Sequence, residues 1–271
     1  MLKKFSGGFN LIVTIFTSDK RFKYLADRLR KDGNFVFENT EKFINITRVI
    51  VVPFPATLEK LSCIQEISSS RLDDKTVFAG LVNDEVRKIF TSKGAKVVDY
   101  MKDFALMNDN AAYTVEGALS VATNANDRAL YNSECLVTGY GRIAKRLCVA
   151  LKALGANVTV AIRRPELSNK LIKDGYNVTD FEKFGGLQKY NYIFNTVPSI
   201  IFDKNPLLLI DKNCAIIELA SKPGGFDLEF AESENIKIIN AQGLPGKYTA
   251  QAAAESIYKV INKYLKQEEF I

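Results

Sequence analysis

Residues 135–144 read Cys-Leu-Val-Thr-Gly-Tyr-Gly-Arg-Ile-Ala, and the fold turns on this stretch. A short apolar run, 135–138, feeds directly into Gly139-Tyr140-Gly141-Arg142-Ile143-Ala144. That is the G-x-G-x-x-G/A turn that sets a dinucleotide pyrophosphate on a helix N-terminus. Gly139 permits the tight turn, Gly141 leaves the backbone bare where phosphates approach, and Ala144 lets the helix press on the strand. The free N–H groups of the first helical turn, at the positive end of the helix dipole, face the anion. Val149, Ala150, Ala153 and Leu154 continue a helical face, Gly155 ends it, and residues 157–162 form a second apolar run. The whole is a βαβ unit of ~30 residues.

The same unit bears on which dinucleotide is bound. An NAD site usually carries Asp or Glu at the end of the second strand, where it accepts from the ribose 2′-OH. Here that position reads Ile162-Arg163-Arg164-Pro165, with no carboxylate. A guanidinium grips a phosphate bidentately. The expected cofactor is therefore NADP(H), with NAD left open, and Arg163 or Arg164 on the 2′-phosphate. The alternative is two solvated arginines in a turn.

A chain of 271 residues with 47% hydrophobic content accommodates two globular domains. No stretch reaches the ~18 apolar residues of a membrane span, so no membrane association is expected. Lys3-Lys4 before the apolar run 9–16 imitates a signal peptide, but Ser18-Asp19-Lys20-Arg21 follows without a small-residue cleavage site. The run reads as a first strand. Cys63, Cys135, Cys148 and Cys214 are scattered without metal-type spacing; they read as reduced core thiols of a cytoplasmic protein, and no metal site is expected. The net charge of +6 is dispersed, which favours small anionic ligands over nucleic acid. There is no histidine. Every mechanism with imidazole as acid, base or metal ligand is excluded, and with it a 2-hydroxyacid dehydrogenase of the His–carboxylate type.

Strand and helix patterns alternate along the chain. Apolar strands are expected over 10–16, 34–37, 48–53, 75–81 and 96–100, with helices over 20–30, 57–67 and 84–92. Residues 102–112 read as polar and irregular, and 114–125 as a crossing helix. Further strands are expected over 190–197, 214–219 and 237–240, and a last helix over 248–265. The fold class is α/β, with two doubly wound parallel-sheet domains, the second a Rossmann dinucleotide-binding domain. The expected boundaries are 1–112 for an N-terminal domain that meets substrate or partner, 113–248 for the Rossmann domain, and 249–271 for a C-terminal helix packed back on the first domain.

The strand ends carry the candidate chemistry. Asn195-Thr196-Val197-Pro198 would lie beside the nicotinamide ribose, or is simply a proline-terminated turn. Glu218 closes an apolar strand just before Ala220; desolvation would tune it for acid or base duty, or it is a carboxylate paired with a lysine or capped by backbone N–H groups. Lys222, in a Gly/Pro-rich turn, would meet an anionic substrate. The N–H groups of Gly246 and Lys247 would bind a carboxylate, with Lys247 adding charge. Thr114 and Glu116 lie at the expected domain junction; alternatively Glu116 only favours the first turn of its helix.

In order along more than half the chain, Thr114-Val-Glu-Gly-Ala118, Gly139-Tyr-Gly-Arg-Ile143, Leu154-Gly-Ala-Asn157, Asn195-Thr-Val-Pro-Ser199, Leu219-Ala-Ser-Lys-Pro-Gly-Gly225 and Gly243-Leu-Pro-Gly-Lys247 resemble the A subunit of bacterial dipicolinate synthase. Asp19 and Arg21 match a Gly-Gly-Asp-x-Arg turn of that family, and Pro53-Phe-Pro55 matches a later strand end. Thr17 and Ser18 stand where the family has the two glycines; Ala250 and Ala252-Ala-Ala254 stand where a Pro and a Thr-Ala-Gly tend to follow. The resemblance implies the last step of dipicolinate synthesis in sporulating bacteria, on a branch of the lysine pathway. A cyclic dihydrodipicolinate is dehydrogenated to pyridine-2,6-dicarboxylate, together with a smaller, flavoprotein-like B subunit. Arg21, Lys222 and Lys247 would then serve the dianionic substrate, and Glu116 or Glu218 would take the proton. Two further readings stay open: another NAD(P)-dependent two-domain oxidoreductase acting on a small anion, and a non-catalytic nucleotide-binding subunit, which the missing Thr favours. A homodimer is the base-rate expectation.

Overall fold

The computed structural model describes residues 11–59, 64, 67 and 70–268. Lys3-Lys4, Cys63 and much of the helix expected over 57–67 lie outside the described residues. The chain divides into two compact units, Met1–Asn110 with Thr249–Ile271, and Ala111–Tyr248.

The first unit carries β1 (Ile12–Ile15), β2 (Phe35–Glu38), β3 (Val49–Val52), β4 (Thr76–Ala79) and β5 (Lys96–Asp99), all parallel, in the order β2-β1-β3-β4-β5. The central strand β3 reads Val-Ile-Val-Val and is wholly buried, as expected of a strand covered on both faces. Between strands run α1 (Lys20–Lys31) and α2 (Asp84–Ser92). Asp19 caps α1 by accepting from the Arg21 N–H at 2.9 Å. Phe22, Leu25, Ala26 and Leu29 then line the buried face.

The stretch after β5 departs from the sequence reading. Instead of an irregular segment followed by a helix, one helix, α3 (Phe104–Thr123), runs unbroken through the boundary at 110/111. Its apolar face is divided: Leu106 joins the core of the first unit, while Val115, Ala118 and Ala122 join that of the second. No single amphipathic stripe spans its whole length, so local periodicity misses the first half.

The second unit holds β6 (Glu134–Thr138), α4 (Arg142–Ala153), β7 (Asn157–Ala161), α5 (Ser168–Lys173), β8 (Asn177–Thr179), β9 (Tyr192–Asn195), α6 (Lys204–Leu208), β10 (Ala215–Glu218), α7 (Leu228–Ser233), β11 (Ile238–Asn240) and α8 (Leu244–Tyr248). Its six strands are parallel, in the order β11-β10-β9-β6-β7-β8. This is the Rossmann order, and direction of winding reverses between β6 and β9. The fold class read from the sequence is correct, although the three-residue, half-exposed β8 carries no apolar run and is missed. Alternate residues serve the two faces. Val137, Val160, Phe194 and Ile217 meet Leu147 and Leu151 of α4. Leu136, Ile193 and Ile216 meet Phe184, Tyr190 and Phe202.

The final helix, α9 (Ala250–Gln267), belongs to the first unit and packs on α1. Ile257, Ile261 and Leu265 are buried in the core that holds Phe22 and Leu25. Tyr258 donates to the Asp32 carboxylate at the end of α1, and the Arg28 guanidinium lies 4.1 Å from the Tyr258 ring centroid. Ile261→Ala should lower the unfolding free energy by ~2–5 kcal/mol and Ile261→Val by ~0.5–1.5 kcal/mol, as urea denaturation measures. Equal effects of the two variants would contradict this packing.

Candidate dinucleotide-binding site

The Gly139–Gly141 turn sits at the carboxyl end of β6, beside the point where winding reverses. Gly139 has φ +81°, a conformation disfavoured for a side chain, and its N–H donates to the Ala161 carbonyl at 2.8 Å. A Cβ there would lie 3.0 Å from Thr196 Oγ1 and 3.1 Å from Val197 Cγ2. Gly141 is different: a Cβ on it would meet nothing within 4 Å. Gly141 is also the N-cap of α4, and no side chain caps that helix. Uncapped N–H groups facing open space are what a pyrophosphate needs. Ala144 is fully buried against the sheet. Tyr140 and Ile143 are half-buried, and Arg142 is exposed.

Arg163 and Arg164 follow β7 and are both exposed. With Gly139, Tyr140, Phe181 and Pro198 they line a cleft of about 430 Å³. Among the described residues neither arginine makes a salt bridge. A bare turn, an uncapped helix and two unpaired guanidinium groups fit a phosphorylated dinucleotide.

Beneath this cleft, three neighbouring strands end in register on polar residues: Thr138 of β6 pairs with Asn195 of β9, which pairs with Glu218 of β10. All three are buried. Thr138 Oγ1 donates to Asn195 Oδ1 at 2.5 Å, and the Val197 N–H donates to the same oxygen at 3.1 Å. Asn195 Nδ2 donates to Glu218 Oε1 at 2.8 Å and to the Val197 carbonyl at 3.0 Å. Thr196 Oγ1 donates to the Thr138 carbonyl at 2.6 Å. The 196–198 turn is thereby pinned where it lines the cleft. Glu218 Oε1 also accepts from the Ala220 N–H at 2.8 Å, and Oε2 from the Gly225 N–H at 2.7 Å. Burial pushes the Glu218 carboxyl above its ordinary range, and the hydrogen bonds from Gly225, Asn195 and Ala220 pull it part of the way back. The sequence reading takes Asn195 only as part of its turn and does not single out Thr138 or Phe181. For the first two a signal exists: like Glu218, each is a polar residue closing an apolar strand.

The remaining residues named from sequence divide by environment. Lys222 is exposed, next to the Lys222–Pro223 cis peptide. Lys247 is exposed on α8. Gly246 is buried, and its N–H donates to the Gly243 carbonyl at 3.1 Å. That donor, which the sequence offers to a carboxylate, is already engaged within its own turn. Glu116 lies on an exposed face of α3, while Thr114 is buried. In the first unit Arg21 is only 7% exposed at its side chain. Asp19 grips it, with Nε at 3.0 and 3.1 Å from the two carboxylate oxygens and Nη2 at 2.5 Å. Its guanidinium stacks 4.3 Å from the Phe54 ring centroid. Burial pushes the Cys135, Cys148 and Cys214 thiols up to about 12, so they stay protonated at neutral pH. Among the described residues no cluster of His, Cys, Asp or Glu could hold a metal ion, and no helix is long and apolar enough to cross a membrane.

These features define a two-unit α/β protein whose second unit has the Rossmann strand order. No protein-family model matches the chain. It is 28% identical over 194 residues to the A subunit of dipicolinate synthase from Bacillus subtilis (strain 168), an alignment covering 70% of this chain and 65% of that relative. The crystal structure of the dipicolinate synthase A subunit from Bacillus halodurans superposes with a TM-score of 0.82 at 23% identity, covering 96% of this chain and 99% of the other. A transhydrogenase from Sinorhizobium meliloti follows, with a TM-score of 0.69 at 16% identity over 94% of each chain. In sequence the chain is similar to the A subunit of dipicolinate synthase, which its motifs resemble, and in fold it is similar to the crystal structure of such a subunit.

The two glycines of the turn should respond oppositely. Gly141→Ala should keep its stability within ~0.5 kcal/mol yet weaken dinucleotide binding at least about tenfold, because the new methyl occupies the phosphate space. Gly139→Ala should destabilise the fold by ~1–2 kcal/mol through its positive φ. Thermal unfolding and fluorescence titration separate the two effects; unimpaired binding by Gly141→Ala would contradict the assignment.

Proposed function

We propose that the chain is an NADP(H)-dependent dehydrogenase that converts dihydrodipicolinate to dipicolinate during sporulation, in the cytoplasm and with a flavoprotein-like second subunit. The observation that carries the cofactor choice is the pair Arg163-Arg164 at the end of β7, exposed and lining the cleft where an NAD site carries a carboxylate. The substrate is supported by the likeness in sequence to the A subunit of dipicolinate synthase.

In this reading Gly139, Tyr140, Gly141, Arg142 and Ile143 receive the pyrophosphate, Arg163 and Arg164 the 2′-phosphate, and Thr196, Val197, Pro198 and Ala220 the nicotinamide end. The bound nicotinamide supplies the hydride acceptor. The substrate ring loses one hydride and one proton, and aromatisation supplies driving force. The protein's task is therefore to orient the ring and neutralise its carboxylates. In the first unit taken by itself, Asp19 holds one edge of the Arg21 guanidinium and Phe54 one face, leaving Nη1 without a hydrogen-bond partner among the described residues. In the second unit the exposed Lys222 and Lys247 are the cations assigned to the substrate. Glu116, carboxylate-bearing and exposed on α3, takes the proton without histidine.

Arg163→Ala combined with Arg164→Ala should cost NADPH roughly 10–150-fold in affinity, the equivalent of ~1.5–3 kcal/mol for a charge-assisted contact, and leave NADH affinity nearly unchanged. An unchanged NADPH/NADH ratio contradicts the cofactor assignment. Incubation of the purified chain with dihydrodipicolinate and NADP⁺, with and without a co-expressed flavoprotein subunit, tests the reaction. NADPH formation is expected; its absence in both cases, alongside intact NADPH binding, would favour a non-catalytic nucleotide-binding subunit.

A further inference from the structure

We propose that Glu218 and Asn195 are positioning residues for the dinucleotide, and that Glu218 carries no proton in the reaction. The proposal rests on the reading that the second unit binds a dinucleotide. Every polar partner of the Glu218 carboxylate is a donor: Asn195 Nδ2, the Ala220 N–H and the Gly225 N–H. Two are backbone groups and one is an amide, so none of the three can accept or release a proton near neutral pH. The residue is 5% exposed. Among the described residues, a base in that position touches no group that could hand it a proton.

The same geometry makes Glu218 an effective strut. An ionised carboxylate only accepts, so it dictates which way the Asn195 amide faces. Asn195 then fills all its remaining hydrogen-bonding capacity: its Nδ2 donates to the Val197 carbonyl, and its Oδ1 accepts from Thr138 Oγ1 and the Val197 N–H. Turning the amide over would set a donor against the Val197 N–H and an oxygen against both the Val197 carbonyl and the carboxylate. The chain of bonds therefore has one polarity, from Glu218 to the turn that lines the nucleotide cleft.

The other oxygen holds the 221–225 loop, which carries Lys222. That loop lies directly on the pair. A Cβ on Gly225 would stand 2.3 Å from Asn195 Nδ2, and one on Gly224 2.9 Å from Glu218 Oε2. Only glycine at both positions lets the loop approach closely enough for the Gly225 N–H to reach the carboxylate. One buried side chain thus sets two strand-end segments, those that follow β9 and β10.

Four proteins test this: wild type, Glu218→Gln, Gly225→Ala and Thr138→Val. Glu218→Gln brings an amide N–H against the donors. Gly225→Ala displaces Asn195 while leaving the carboxylate in place. Thr138→Val keeps side-chain shape and removes two bonds at the far end, the one donated to Asn195 Oδ1 and the one accepted from the Thr196 N–H at 3.3 Å. NADPH dissociation constants are read by fluorescence titration well below each melting temperature, and amide hydrogen exchange at Val197 and Gly225 is read in ligand-free protein. Glu218→Gln and Gly225→Ala should each weaken NADPH at least about tenfold and speed exchange at both amides, with Thr138→Val showing a smaller loss of the same kind. The proposal is overturned if Glu218→Gln binds NADPH and exchanges like wild type, or if it alone stops turnover while Gly225→Ala leaves binding and turnover intact. Should Glu218→Gln fail to fold, Gly225→Ala and Thr138→Val decide by the same two readouts. A wild type that binds neither NADPH nor NADH would instead overturn the nucleotide reading, and this proposal with it.

Discussion

Parallel strands buried on both faces must stop somewhere, and at the stop their last side chains face a region that is neither core nor open solvent. In the second unit the three strands around the winding reversal stop in register on Thr138, Asn195 and Glu218. An acceptor-only carboxylate, a bifunctional amide and the Val197 backbone groups can satisfy one another in only one arrangement. A half-satisfied network there would cost more than an apolar one. The closure of that network sets the 196–198 turn and holds the loop after β10, so the cleft inherits its shape from hydrogen bonds made below it.

Above the network the chain does the opposite and leaves groups unsatisfied. The N-terminus of α4 has no side-chain cap, the space over Gly141 is open, and the two arginines after β7 make no ion pair among the described residues. A Ser or Asp side-chain cap in place of Gly141 would stabilise the helix by roughly a few tenths of a kcal/mol. Its absence is consistent with a ligand that supplies the acceptors. Saturated donors below and free donors above are the physical contrast that marks the site.

Much of this was legible in the sequence, for reasons that differ by element. The Gly139–Gly141 turn was readable because glycine spacing and an apolar run are local properties. The parallel strands of both units were readable because burial on two faces gives continuous apolar stretches, as in Val49–Val52. The first half of α3 was not, because Leu106 and Val115 answer to different cores and blur the helical period. The strand β8 was not, because three half-exposed residues hold no pattern. At the site, Glu218 stands out as a lone acid ending an apolar strand, but its three donors come from residues 195, 220 and 225. The partner on β9 is 23 residues away and is brought beside it only by the sheet. Gly246 shows the converse: a free-looking N–H in the sequence is engaged by its own turn.

The central claim is that a main-chain turn at the end of β6 holds the diphosphate of a nicotinamide coenzyme, with the arginines after β7 choosing the phosphorylated form. Isothermal titration of NADPH and of NADH into the folded wild-type protein tests it most directly. Saturable binding of both, with NADPH the tighter, is the result this account requires. Well-folded protein that gives no heat with either coenzyme would contradict it.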